Sequence, residues 1–184
     1  MKTIATRQQI YQTIDRLAED ICIHYPDEPP AVVILLEGAR RFANHLLEHF
    51  PQDTPVYYLR VSSYHGGMRS SGSVSIDSDK PLELKGKQVL LVDDIYDTGR
   101  TIHAVSSYLR GFSPADIKTS VLIVKRRKHE QPVPIDFPGM TVDDLFLIGF
   151  GLDYQGRYRE LDEILAVEGE SDDQLANVLK KRIE

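Results

Sequence analysis

Three short apolar runs constrain this chain more than anything else in it: AVVILL (31–36), QVLLV (88–92) and TSVLIVK (119–125). Each is too short for a helix and rich in β-branched residues. None alternates with polar positions, which is the pattern of a strand covered on both faces. Such strands need layers above and below, and the intervening segments supply them. Ile10, Ile14, Leu17 and Ile21 recur at helical spacing through residues 7–24, before three prolines between Tyr25 and Pro30 stop the pattern. A second helix is expected to open at Gly38 with Phe42, Leu46 and Leu47 facing inward, and a third over TIHAVSSYLRGF (101–112). VYYLRVSSY (56–64) and LFLIGFG (145–151) read as further strands. Strands alternating with helices predict an α/β fold around a mostly parallel, twisted sheet flanked by helices.

Residues 65–73, HGGMRSSGS, are rich in glycine and serine without apolar periodicity and read as a loop. The end of the chain carries a capping-box pattern at Ser171 to Gln174 and an apolar stripe of Leu175, Val178, Leu179 and Ile183, predicting a helix over about 171–183. With 184 residues, no repeat and no long linker, one domain over 1–184 is expected. The formal net charge of −6 disfavours a general nucleic-acid surface. A local basic run, Lys125, Arg126, Arg127 and Lys128, reads as the ordinary solvated exit of a strand. One cysteine, Cys22, allows no internal disulfide. No apolar run approaches the roughly 20 residues of a membrane span or the core of a signal peptide, so a soluble cytoplasmic protein with no membrane partner is expected.

Chemistry concentrates where the second of the three runs ends. Asp93, Asp94 and Asp97 crowd beside Thr98, Gly99, Arg100 and Thr101, in the order VDDIYDTGRT. In an open parallel sheet, ligands bind beyond the carboxyl ends of strands, where unpaired amides at a helix N-terminus hold anions. The threonine hydroxyls add donors, and Gly99 lets the backbone approach closely. Three carboxylates are a poor shell for a phosphate, but they accept hydrogen bonds from sugar hydroxyls. The pattern therefore suits a phosphorylated sugar, its phosphate on the turn and its ribose on Asp93 and Asp94, directly or through Mg²⁺. Neither GxxxxGK[ST] nor GxGxxG is present, which argues against nucleoside triphosphate and dinucleotide sites.

The stretch from Val92 to Thr101 resembles the phosphoribosyl pyrophosphate (PRPP) signature of the type I phosphoribosyltransferases. Three further stretches are similar to the hypoxanthine-guanine branch of that family: LLEGARRFANHLL (35–47), RVSSYHGGMRSSG (60–72) and FLIGFGLDYQGRYREL (146–161). The resemblance implies the type I fold, with a small hood built from the N- and C-terminal segments. It also implies transfer of ribose 5-phosphate from PRPP to a 6-oxopurine, with Mg²⁺ as cofactor and a homodimer or homotetramer as the assembly. By the same resemblance Asp97 is the general base at the purine, helped if neighbouring acids raise its pKa. Glu37, Gly38, Arg100 and Arg159 join the turn in binding PRPP. Lys125 donates to the purine 6-oxo group, Phe146 stacks on the ring, and Leu147 offers backbone contacts to its edge. Asp93, Asp94 and Asp153 hold Mg²⁺, the last through water. Ser63 and Tyr64 belong to a loop that closes over the site.

Read without the resemblance, a snorkelling strand-end lysine is the lesser alternative for Lys125, a core aromatic is the first reading of Phe146, and an ordinary surface ion pair is open to Asp153 and Arg159. The chain departs from the family at Glu37, where the family has lysine. Backbone donation from this loop, and the non-proline cis peptide that the family has there, do not depend on that side chain's charge; Arg40 and Arg41, or a subunit contact, are candidates to offset it. Two rivals remain: a preference for xanthine or for guanine alone, and a phosphoribosyltransferase-like RNA-binding regulator of pyrimidine genes, which the net negative charge disfavours.

Overall fold

The computed structural model describes residues 1–63 and 74–167. Among them, a six-stranded sheet is built from β2 (Ala31–Leu36), β3 (Val56–Ser63), β4 (Val74–Ser78), β5 (Gln88–Tyr96), β6 (Asp116–Arg126) and β7 (Phe137–Asp143). Their spatial order is β4-β3-β2-β5-β6-β7, with every neighbouring pair parallel except β3 with β4. The continuous apolar runs have the expected cause. Val32, Ile34, Leu90 and Val92 pack into one core with helices α1 (Arg7–His24) and α2 (Arg40–Leu47). Val33, Leu35, Val89 and Leu91 point the other way, into a second core with Ile102, Val105 and Leu109 of helix α3 (Arg100–Arg110). The stripe Ile10, Ile14, Leu17 and Ile21 of α1 is fully buried, each side chain contributing about 1.5–3 kcal/mol.

Several boundaries differ from expectation. LFLIGFG does not lie in the main sheet: only β8 (Phe146–Ile148) is a strand, in a separate antiparallel sheet of order β1-β9-β8 with β1 (Lys2–Ala5) and β9 (Ile164–Val167). After it, Gly149, Phe150 and Gly151 all take positive φ and turn the chain away. This small sheet is the hood that the resemblance implies. Arg41 ties it to α2, donating to the carbonyls of Glu160 and Leu161 and lying 4.7 Å above the Phe150 ring. Helix α2 begins at Arg40 rather than Gly38, and α1 starts on a Thr6–Gln9 capping box. Strand β7 escapes a pattern reading because it holds Pro138 and Gly139, which an edge strand tolerates. Tyr64, the loop 65–73 and the helix expected near 171–183 lie outside the described residues.

Candidate active site

Strand order reverses between β2 and β5: the chain leaves β2 toward β3 and β4, then crosses back to β5 and proceeds to β6 and β7. That switch point leaves a crevice outside the carboxyl ends of the two strands. Pairing between them stops at Ile34 with Val92, while β5 runs on beside β6 through Tyr96. Asp93 and Asp94 therefore lie on the strand itself rather than beyond its end. A cavity of about 290 Å³ fills the gap, lined by the loop after β2 (Leu36 to Gly38), residues 93–99, Thr101 and Arg159. The Leu36–Glu37 peptide is cis. Gly38 is required by contact, since a Cβ there would sit 1.9 Å from Asp94 Oδ2; on its other side, a Cβ on Gly151 would meet Gly38 O at 2.1 Å.

Asp93 is buried and Asp94 half-buried, side by side. Burial pushes the Asp93 carboxyl well above the usual carboxylate range, and the neighbouring Asp94 adds to it. Burial also raises Asp94, while hydrogen bonds from Asp93 and the backbone, and the Arg159 guanidinium, hold it back. Two adjacent acids kept in a cavity with one distant cation favour a shared proton, or a ligand that supplies positive charge or hydroxyl donors.

The turn that follows is shaped by Gly99, which has φ +85° and whose Cβ would lie 2.0 Å from Gln131 O. As the N-cap of α3 it brings no side-chain cap; the Arg100 amide donates to Thr98 Oγ1 at 3.4 Å, and Thr98, Gly99 and Thr101 at this helix start line the cavity. A segment after β6 braces the turn: the amides of Glu130 and Gln131 donate to Thr98 O, and His129 Nδ1 lies 2.6 Å from Asp97 O. The Arg100 side chain pairs with Glu130 and does not line the cavity.

Asp97 is flanked by two cations. Lys125 Nζ donates to Oδ2 at 2.9 Å and Arg127 Nη1 to Oδ1 at 2.8 Å. Asp144 accepts from Arg127 at 3.4 Å and lies 3.6 Å from Lys125. Lys125 is only 8% exposed, so it is neither a snorkelling nor a solvated strand end, whereas Arg126 matches that reading, exposed and paired with Asp143. Arg127 and Asp144 are the residues that sequence reasoning missed. Phe146 is 49% exposed, edge-on to Tyr154 at 5.5 Å, and so is not a core aromatic; Leu147 beside it is buried. Asp153 Oδ1 pairs with Arg159 at 2.5 Å and Oδ2 accepts from the Gly156 amide, while Arg159 also donates to Gly151 O. Lys125, Phe146, Leu147 and Asp153 do not line the cavity; Lys125 connects to it through Asp97.

Glu37 lines the cavity and is offset by Arg40 at 3.2 Å and Arg60 at 3.5 Å. Arg41, the other expected partner, is committed to the hood and Asp162. Ser63 ends β3, pairing with Val74.

Comparison with known proteins agrees with this geometry. Residues 1–155 match the family model described as phosphoribosyl transferase domain. The chain is 38% identical over 169 residues to a hypoxanthine-guanine phosphoribosyltransferase of Aquifex aeolicus, covering 91% of this chain and 95% of that one. It is 33% identical to a hypoxanthine-guanine-xanthine phosphoribosyltransferase of Tritrichomonas foetus, covering 89% of each. Among solved structures, a hypoxanthine phosphoribosyltransferase from Staphylococcus aureus superposes with a TM-score of 0.83 at 26% identity, covering 91% of each chain. A family match over most of the chain, and a switch-point cavity with an acid pair and a helix start, lead to one assignment: this chain belongs to the phosphoribosyltransferase family and has its type I fold.

Proposed function

We propose that the protein is a purine-salvage enzyme that transfers ribose 5-phosphate from PRPP to hypoxanthine and guanine, giving IMP or GMP and pyrophosphate. The observation that carries this is the lodging of an adjacent acid pair, Asp93 buried and Asp94 half-buried, and the start of α3 in one cavity. In this reading the amides of residues 98–101, with the Thr98 and Thr101 hydroxyls, hold the 5-phosphate. Asp93 and Asp94 accept from the ribose hydroxyls, and their charge stabilises the oxocarbenium character that develops as pyrophosphate departs. Gly38 N–H and the Arg159 guanidinium receive the pyrophosphate oxygens.

Lys125 has donors and no acceptor, so it selects a 6-oxo group over a 6-amino group. Phe146, exposed and flat, stacks on the purine, and the Leu147 backbone meets its edge. As the base binds, its oxygen competes for Lys125 Nζ and loosens the hold on Asp97, which then takes the proton from the purine nitrogen as the new bond forms. The residues also fit Mg²⁺, because the candidate donors are carboxylate oxygens with no nitrogen or sulfur among them. Asp93 and Asp94 would hold the ion and Asp153 would reach it through water; bound there, it supplies charge that stabilises the leaving pyrophosphate. The family resemblance extends the reading to a cytoplasmic homodimer or homotetramer.

Purified protein supplied with PRPP and, in turn, adenine, hypoxanthine, guanine and xanthine tests the reading. Turnover of hypoxanthine and guanine is expected and of adenine is not; turnover of adenine alone, or of no base, overturns it. The xanthine assay decides whether the specificity named for the Tritrichomonas relative extends to this chain.

A further inference from the structure

Helices α1 and α2 share one face of the main sheet, and a side-chain cluster where they meet has no part in the chemistry above. His45 in α2 and His49 just beyond it are four residues apart, so both imidazoles project to the same side. The turn after the helix preserves this spacing, with the amides of Glu48 and His49 donating to the carbonyls of His45 and Leu46. Asp15 reaches across from α1, and its Oδ1 lies 3.1 Å from Nε2 of both histidines. The second nitrogen of His45, Nδ1, lies 3.1 Å from Glu48 Oε2, and Tyr11 packs edge-on against the ring at 4.3 Å.

We propose that His45, His49 and Asp15 form a binding site for one divalent late transition-metal ion, of which Zn²⁺ is the type. The donor set decides the class: two imidazoles and one carboxylate suit borderline ions such as Zn²⁺ or Co²⁺, whereas Mg²⁺ prefers oxygen alone. The spacing agrees. Ligand atoms about 2.0–2.1 Å from a tetrahedral ion lie about 3.3 Å from one another, close to the 3.1 Å that separates Asp15 Oδ1 from each imidazole nitrogen. The contact from Glu48 to the far nitrogen of His45 is the carboxylate–histidine pairing that orients a metal-binding ring. Three protein ligands leave a fourth position for water. The ion would act as a clamp. Helix α1 follows hood strand β1, and α2 follows the 36–38 loop of the cavity, so pinning one helix to the other ties hood to active-site loop.

Co²⁺ titration of the full chain followed by the visible bands of a tetrahedral site tests this, with Zn²⁺ as competitor. The expected result is one Co²⁺ per chain at micromolar concentration, displaced by Zn²⁺ and not by millimolar Mg²⁺. His49→Gln and Asp15→Asn, at positions exposed enough to spare the core, should each weaken binding at least tenfold, and Glu48→Gln by about ten- to hundredfold. Asp93→Asn, in the acid pair of the cavity, should leave the bands intact. Zn²⁺ should raise the melting temperature of the unaltered protein and not that of His49→Gln. Absence of bands, or bands and Zn²⁺ stabilisation that survive both His49→Gln and Asp15→Asn, would overturn the site and leave the cluster as a hydrogen-bonded knot.

Discussion

Gly38→Ala probes the cavity at its tightest point. The added Cβ would sit 1.9 Å from Asp94 Oδ2, where ordinary contact needs about 3.4 Å, so the carboxylate must retreat by 3.4 − 1.9, about 1.5 Å. Gly38 has little room to yield instead, since even a Cβ on Gly151 would meet its carbonyl at 2.1 Å. A displacement near 1 Å at a positioning group costs about 10²-fold in rate, or about 2.7 kcal/mol, so kcat/KM for PRPP should fall by about that factor. Overpacking should cost a further 1–3 kcal/mol of stability, roughly 2–4 °C in Tm for each kcal/mol in a chain of this size. Gly86→Ala is the control: φ there is +72° and nothing lies within 4 Å of the new Cβ, so it should lose about 1–2 kcal/mol of stability with unchanged PRPP kinetics. The assay is initial rate at saturating hypoxanthine with PRPP varied, beside thermal melts of both variants. A Gly38→Ala enzyme with wild-type kcat/KM for PRPP would refute the idea that Asp94, held where it is, grips the ribose.

Asp97→Asn, with the proposed base removed and its cationic neighbours kept, should lower kcat by about 10²–10⁴, and normal turnover would exclude Asp97 as the base. Phe146→Ala should raise KM for the purine by about tenfold or more, the worth of one base–aromatic stack, while the melting temperature barely moves because the ring is half-exposed. For Asp93 the pKa is raised on folding, so the folded protein binds more protons than the unfolded chain above the ordinary carboxylate range. Stability of the ligand-free enzyme should therefore fall as pH rises from that range toward the raised value. Asp93→Asn abolishes this loss, so the stability of the variant relative to the parent should rise with pH above the ordinary carboxylate range; a difference independent of pH would contradict the assignment.

Strands β2, β5 and β6 were legible because strands buried on both faces leave unbroken apolar runs, and α1 because the stripe from Ile10 to Ile21 is regular over about three turns. In the hood, β8 was read only as part of a longer strand over 145–151, and β1 and β9, four residues each, are too short for any period to show. The acid pair and the turn could be read as local chemistry since they lie within nine residues. The cluster of Asp97, Lys125, Arg127 and Asp144 could not, because it is assembled by register. Tyr96 lies opposite Val124 and Arg126 opposite Asp143, which brings together groups 17 to 30 positions apart. The run 125–128 misled at two positions: Lys125, within β6, is buried, and Arg127, exposed just past the end of that strand, reaches back to Asp97.

A crystal structure of the enzyme with PRPP and Mg²⁺ bears most directly on how the site works. The account predicts the 5-phosphate on the backbone amides of residues 98–101 and the ribose hydroxyls within hydrogen-bond reach of Asp93 and Asp94 or of an ion they hold. A ribose bound away from the switch-point cavity, or Asp93 and Asp94 turned from it, would contradict the account.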